Sequence, residues 1–484
     1  MLDPNRKLFR WGPIDGCPLF MYYTIESSFK KMHDIFGYCY PESVIIFENK
    51  KVLWILDNQD FLNNGIEFAK KHIININNKK LFQDKWNNNL NQLLKIFKKL
   101  DQIDLSKTDE KQLYKLFGEF SEVYFKFWEV GMTLELTVLA IETWLGEKLK
   151  QLIKDQKEYN ESFAKLTSPT DLTFYRQEEK ELIEISKLNE EEQEVALKEH
   201  QKKYYWIYNS YLEAKNLGLS YFLHNLDKLK KENKGQMLNE INNYSNEIKK
   251  EKENIVERLR LDEVTKTLVR LSEEFSILQD NRKKYNFMAD HYLELFAKEI
   301  ENISNINIDD VKLLLPEEIK KLIEDKLDKN IIQERKPIFV IHCIADKIDF
   351  ITGKKAEEIK SIYSVIKKTD QSRAIQGIIA SRGKSYYFRG IAKVLFSPKE
   401  ISKINEGDIL VTTMTSPDFI IAMRKAGAIV TDEGGILCHA AIISRELGIT
   451  CVVGTEVATK MIKDGDIIEI HGGKGTVKII ERKS

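Results

Sequence analysis

The chain is short of most features that would assign it a class at sight. Proline occurs nine times in 484 residues. Between residues 84 and 335 it occurs only at Pro169 and Pro316, so almost nothing there interrupts helix formation. Net charge is absent, with 75 Lys and Arg against 75 Asp and Glu. That balance removes any overall pull toward nucleic acid or an anionic membrane, and no basic stripe with interleaved aromatics stands out. Cys17, Cys39, Cys343, Cys438 and Cys451 are odd in number and dispersed, without a CxxC pair. Such a set reads as reduced thiols in a cytoplasmic protein. Residues 1–7 carry no apolar run of the signal-peptide kind. The most apolar long stretch, about 123–145, contains Lys126, Glu129, Glu135 and Glu142. Charges are costly in a bilayer core, so this stretch is expected to be buried helix and no membrane partner is expected. A Gly-x-x-x-x-Gly-Lys loop is missing, as is any other glycine-rich phosphate cradle in residues 1–370.

What is present divides the chain into an α+β multidomain protein. Residues 1–83 form a mixed α/β segment. Within it, 43–56 reads as two short strands around Glu48-Asn-Lys-Lys, a hairpin. Residues 84–372 are expected to be a large helical domain. Ile241, Ile248 and Ile255 recur every seven residues there, the mark of an amphipathic helix. The stretch 178–204 is dense in Glu and Lys and reads as a solvated helix face. Residues 337–342 suggest a strand, 354–368 a charged helix, and the polar run 369–374 a boundary, with a linker near 369–378. From 375 to 484 strands and helices alternate. Strands are predicted at Ile409–Thr412, Ala428–Thr431, Thr450–Val453, Ile467–His471 and 476–480. One helix is placed after Thr415, with Ser416 as N-cap and Pro417 as its first residue. A second runs from near His439 to Gly448.

His439 is the candidate catalytic residue. An apolar strand ends in the paired glycines Gly434 and Gly435, and a helix opens at or just before the histidine. Glycines let the backbone turn tightly and approach a ligand, and the first helical turn offers unpaired N–H groups to an anion. Cys438 adjoins the histidine at the helix start, where a thiol pKa can fall, although a small packing residue is the commoner reading. Arg445 reads as a surface or docking contact. In the helical region Tyr124, Phe125, Phe127, Trp128 and Trp144 suggest core packing or the wall of an apolar pocket. Glu129 and Glu135 are candidate carboxylates with shifted pKa, or exposed-face residues. His291, beside Asp290, reads as surface or capping.

The ordered series Gly407–Asp418, Ala428–Asp432, Gly434–Ile449, Val452–Thr455 and Asp464–Asp466 resembles the mobile phosphohistidine domain of the phosphoenolpyruvate-utilising enzymes. Phosphoenolpyruvate synthase, pyruvate phosphate dikinase, rifampin phosphotransferase and phenylphosphate synthase share this domain. The resemblance implies a C-terminal β/β/α swivelling domain behind the large helical region, with His439 carrying a phosphoryl group and Gly434, Gly435 and Cys438 supporting its loop. Leu437 departs from the threonine that the synthase and dikinase carry two residues before the histidine. Relatives supply the donor from an ATP-grasp domain or from a barrel that binds phosphoenolpyruvate, and neither is recognisable here. The expectation is therefore a phosphotransferase component, with ATP and magnesium bound by a separate ATP-grasp partner in trans and a small-molecule phosphate acceptor held near the helical domain. The alternative is a non-catalytic binding or regulatory protein with a degenerate mobile domain.

Overall fold

The computed structural model describes residues 1–229, 234–324, 326–364, 374–383, 387–415, 419–434 and 438–482. Strands β1 (Leu8–Asp15), β2 (Ser43–Glu48), β3 (Lys51–Asp57), β4 (Phe339–Ile344) and β5 (Lys347–Thr352) form an antiparallel sheet in the order β1-β3-β2-β4-β5. The expected hairpin is β2–β3, turned by Asn49 and Lys50 at φ 51° and 60°. Both faces of this sheet are covered. Val44, Ile46, Ile55 and Val340 pack with Ala356 and Ile359 of the helix Gly353–Ser364. Ile45, Val52, Trp54 and Ile341 face the helical core. Burial on both sides explains why β2 reads as one apolar run without alternation. The helical region thus lies, in sequence, between β3 and β4, the two strands that flank β2 in one sheet.

The stretch 123–145 is divided between two helices, Glu110–Gly131 and Thr133–Leu152. Among the described residues no helix is long and apolar enough to cross a membrane. The longest helix, Glu263–Ser304, starts at Asp262, whose carboxylate accepts from the Thr265 amide at 2.7 Å, and ends at Asn305 in the left-handed conformation. It packs along Thr133–Leu152. The charge-rich stretch 178–204 spans parts of the helices Phe174–Ile185 and Glu190–Tyr204. Its surface is solvated along Glu190–Glu192 but not at Glu179, which is buried.

The C-terminal segment adds β6 (Ala374–Gln376), β7 (Ile378–Arg382), β8 (Tyr387–Val394), β9 (Ile409–Thr412), β10 (Ala428–Thr431), β11 (Thr450–Val453), β12 (Ile467–His471) and β13 (Thr476–Glu481). They join in the order β6-β13-β12-β8-β9-β10-β11-β7, with β8 to β11 parallel. Alternation decides what each side of this sheet meets. Ile409, Val411, Val430 and Val452 face a small core closed by Ala458 and Ile462. Leu410, Ile429, Cys451 and Val453 face the helices Ile420–Lys425 and His439–Glu446. Those helices continue the same apolar cluster into Phe174, Tyr175 and Trp206 of the helical region. The C-terminal segment is therefore seated, helix side down, on the helices that follow residue 173. Ser416, Pro417 and the boundary 369–373 lie outside the described residues.

Candidate functional site

The site begins where β10 runs out. Asp432 accepts from the Thr455 hydroxyl at 3.2 Å, from the Thr459 amide at 3.0 Å and from the Thr459 hydroxyl, which pins the turn. Gly434 follows at φ +110°, where a Cβ would sit 2.7 Å from the Cys438 sulfur. No other residue fits both that backbone and that contact. Gly435 and Leu437 lie outside the described residues. Cys438 is the N-cap of the helix His439–Glu446, without a side-chain capping bond, and His439 is the first helical residue.

The two nitrogens of His439 differ. Nδ1 is 2.8 Å from the Thr415 hydroxyl oxygen. Nε2 is buried and has no hydrogen-bond partner among the described residues. Tyr175 presents its ring edgewise at 6.0 Å between centroids. Burial, and then the charge of Lys283, hold the imidazole well below its ordinary pKa, so the ring is neutral. With a proton on Nδ1 donated to Thr415, Nε2 presents its lone pair.

Beside His439 lies a cavity of about 300 Å³. Gly434, Cys438, Thr415 and His439 form one wall, and Trp11 of β1, Trp128, Met132, Glu135, Tyr211, Arg282, Lys283 and Phe287 contribute to the others. Glu135 is held by Arg282 and accepts from Gln279 at 2.9 Å. Burial works against its charge, and Arg282, Lys283 and Gln279 together more than offset this, so its pKa lies below the ordinary value. Lys283 makes no ion pair among the described residues, and burial lowers its pKa. Glu433 also lines the cavity, and burial together with Asp432 pushes its carboxyl up to about 8.

Several expectations change. Burial raises the Cys438 thiol, so it is not an activated thiolate. Arg445 is partly buried, and its Nε donates to the Ala380 carbonyl at 2.7 Å. Of the aromatics on the helix Glu110–Gly131, Tyr124 and Phe127 are core while Trp128 also lines the cavity. Glu135 faces the cavity and Glu129 does not line it. The Nδ1 of His291 is 2.8 Å from Asn216 Oδ1, and burial lowers its pKa to about 4. Thr415 and Lys283 were missed as site residues. Thr415 stands inside the family-like series but reads there as a helix start, and Lys283 sits in a helix far away in sequence. Among the described residues no cluster of His, Cys, Asp and Glu suited to a metal ion occurs.

Residues 404–475 match the family model described as PEP-utilising enzyme, mobile domain. A probable phosphoenolpyruvate synthase of Archaeoglobus fulgidus is 52% identical over 127 residues, 26% of this chain and 16% of that protein. The phosphoenolpyruvate synthase of Pyrococcus furiosus is 48% identical over 126 residues, 26% of this chain and 14% of its own length. An uncharacterised phosphotransferase of Bacillus subtilis is 35% identical over 155 residues, 31% of this chain and 18% of that protein. The chain thus spans about a sixth of the length of the curated relatives it matches.

Proposed function

Starting from a segment that carries the mobile-domain signature of phosphoenolpyruvate-utilising enzymes, we propose that this chain is a phosphotransferase component whose His439 carries a phosphoryl group to an acceptor bound in the adjoining cavity. The donor in this reading is ATP with magnesium on a separate ATP-grasp protein. The observation that carries the reading is the neutral His439 at the cavity wall, with Nδ1 tied to Thr415 and Nε2 without a partner among the described residues.

Nε2 attacks the donor's terminal phosphorus, the bond to the donor oxygen breaks with its electron pair leaving on that oxygen, and the Nδ1 proton is lost to water. The Thr415 hydroxyl then turns from acceptor to donor toward Nδ1, a change that a hydroxyl can make in place. On the second transfer the phosphorus–nitrogen bond breaks and its electron pair returns to Nε2. A new phosphorus–oxygen bond forms on the acceptor, and the acceptor's hydroxyl proton returns to the imidazole. Lys283, which makes no ion pair among the described residues, offsets the charge of the phosphoryl group, as does the open N-terminus of the helix His439–Glu446. The domain itself carries the group between sites by rotation, a motion of the μs–ms class.

The test is labelling. Incubation with ATP, magnesium and the cognate donor protein is expected to give acid-labile, base-stable phosphate on this chain, absent in His439→Ala. Label persisting in that variant refutes the assignment.

A further inference from the structure

The seat of the C-terminal segment on the helical region closes off the residue that has to react. Nδ1 of His439 is occupied by Thr415, and Nε2 is buried. Tyr175, from the helix Phe174–Ile185 on which the segment is seated, lies against the ring. Transfer needs phosphorus within about 3–3.5 Å of the attacking nitrogen, and a donor's terminal phosphate has no path to either nitrogen in this arrangement. The closure is lightly held. The helix His439–Glu446 contributes Ala440, Ala441 and Ile443 to the cluster it shares with Phe174, Tyr175 and Trp206. Two of those three side chains are single methyl groups, and stabilisation by burial scales with the apolar area removed from water. Several polar contacts between the segment and the rest of the chain lie at the margin. Lys7 meets Glu456 at 3.3 Å with both side chains exposed, Lys51 Nζ donates to the Phe396 carbonyl at 3.2 Å, and Arg382 pairs with Glu161. Exposed pairs hold little. Two contacts lie deeper: the Thr173 hydroxyl donates to Glu446 at 3.1 Å, and Arg424 Nη1 donates to Glu179 Oε1 at 2.7 Å.

The second of these contacts is built to break and re-form. Glu179 is 6% exposed and pairs with Arg176 of its own helix, which stays beside it whether or not the segment is seated. Arg424 stands on the helix Ile420–Lys425 and leaves with the segment. Its side chain is 39% exposed, so its charge returns to water readily. Parting the two therefore strands no buried charge, the usual cost of breaking an ion pair. We propose that the seat is an autoinhibitory closure and that Arg424 on Glu179 is its clasp: while the clasp holds, His439 is shut to any phosphoryl donor, and its release admits one. The proposal rests on the carrier reading of His439 for what the closure prevents, but the closure itself does not.

Diethyl pyrocarbonate, which ethoxycarbonylates accessible imidazole nitrogens, tests this on the full chain without any phosphoryl donor, each histidine being read by peptide mass spectrometry. His33 and His224 are exposed and set the unhindered rate. His200, at 0% exposure in the helical region, reports the folding of that region. Cys451, at 0% exposure under the helix His439–Glu446, reports the folding of the C-terminal segment by resisting iodoacetamide. In the parent, His439 is expected to react about tenfold or more slowly than His33. Arg424→Glu sets a carboxylate against Glu179 when the segment is seated and not when it is released, so it favours release over unfolding. Reaction at His439 is expected to quicken about tenfold or more, with His200 and Cys451 still protected. Arg424→Lys keeps the charge and is expected to keep most of the protection. The proposal is overturned if His439 of the parent reacts as fast as His33, if Arg424→Glu leaves its protection unchanged, or if His439 opens only together with His200 or Cys451. If exposure behaves as expected while labelling by a donor fails, the carrier reading falls and the closure stays. If labelling holds while exposure does not, the carrier reading stands without a clasp.

Discussion

At the scale of single residues, the site depends on which nitrogen of one imidazole is free. Thr415 occupies Nδ1 through a 2.8 Å contact, which leaves Nε2 as the nitrogen without a partner among the described residues. Thr415→Val keeps the shape and removes the hydroxyl, so Nδ1 loses its partner. Phosphoryl uptake by His439 is expected to slow by about tenfold, the worth of one good hydrogen bond, with Thr415→Ser near the parent rate in the same rapid-quench labelling assay. Gly434 is a second such residue. Gly434→Ala meets both a positive φ of 110° and the Cys438 sulfur at 2.7 Å. It is expected to destabilise the turn by about 1–3 kcal/mol, read as a lower thermal midpoint. The paired glycines and the histidine were legible in sequence because the local geometry demands those residue types. Thr415 was not, because what it touches lies 24 residues away.

At the scale of elements, the seat of the C-terminal segment on the helices after residue 173 is held by apolar packing and a few polar contacts. Glu179 lies between Arg176 and Arg424, with Arg424 Nη1 at 2.7 Å from its Oε1. Burial pushes its carboxyl up, and Arg424 and Arg176 more than offset that. Glu179→Ala leaves two cations without their shared partner and is expected to cost about 3 kcal/mol, measured by urea unfolding. Arg424 is partly exposed, and Glu179 retains Arg176 when it is lost. Arg424→Ala is therefore expected to cost about 1 kcal/mol or less, and to show mainly as faster hydrogen exchange along the helix His439–Glu446. Four predicted strands, from Ile409–Thr412 to Ile467–His471, coincide with β9 to β12, because each is a short apolar run between turn residues. β7 and β8 were missed: their sequences mix Ser, Arg, Lys and Gly with the apolar residues, and their pairing with β11, β9 and β12 supplies the order.

At the scale of the whole molecule, docking brings ionisable groups out of water, and the pH dependence of stability follows. Burial pushes Glu446, which accepts from the Thr173 hydroxyl across the seat at 3.1 Å, up to about 8, and Glu433 likewise up to about 8. The folded state holds those protons more tightly than the unfolded chain. Their contribution is therefore fully present below the ordinary carboxylate range and is lost as pH rises through about 8. His439 acts in the opposite window. Its folded pKa is lowered, so its contribution is present above the ordinary histidine value of about 6.5 and is lost as pH falls through the folded pKa. Denaturant midpoints are expected to fall on the alkaline side, and Glu446→Gln, which keeps the bond to Thr173 without titrating, to flatten that limb. An unchanged alkaline limb in the variant counts against the buried-acid account.

The sequence by itself determined the local grammar: a helix-rich middle with few prolines, the C-terminal strands, and a glycine turn leading into a helix-borne histidine. Each of these follows from interactions within a few residues. Only the tertiary structure decided that β4 and β5 complete a sheet begun near the N-terminus. It alone also decided that Lys283 and Arg282 of one long helix, Trp54 of a distant strand and His439 share one cavity. Such placement depends on burying faces of elements hundreds of residues apart, which leaves no mark in the local sequence.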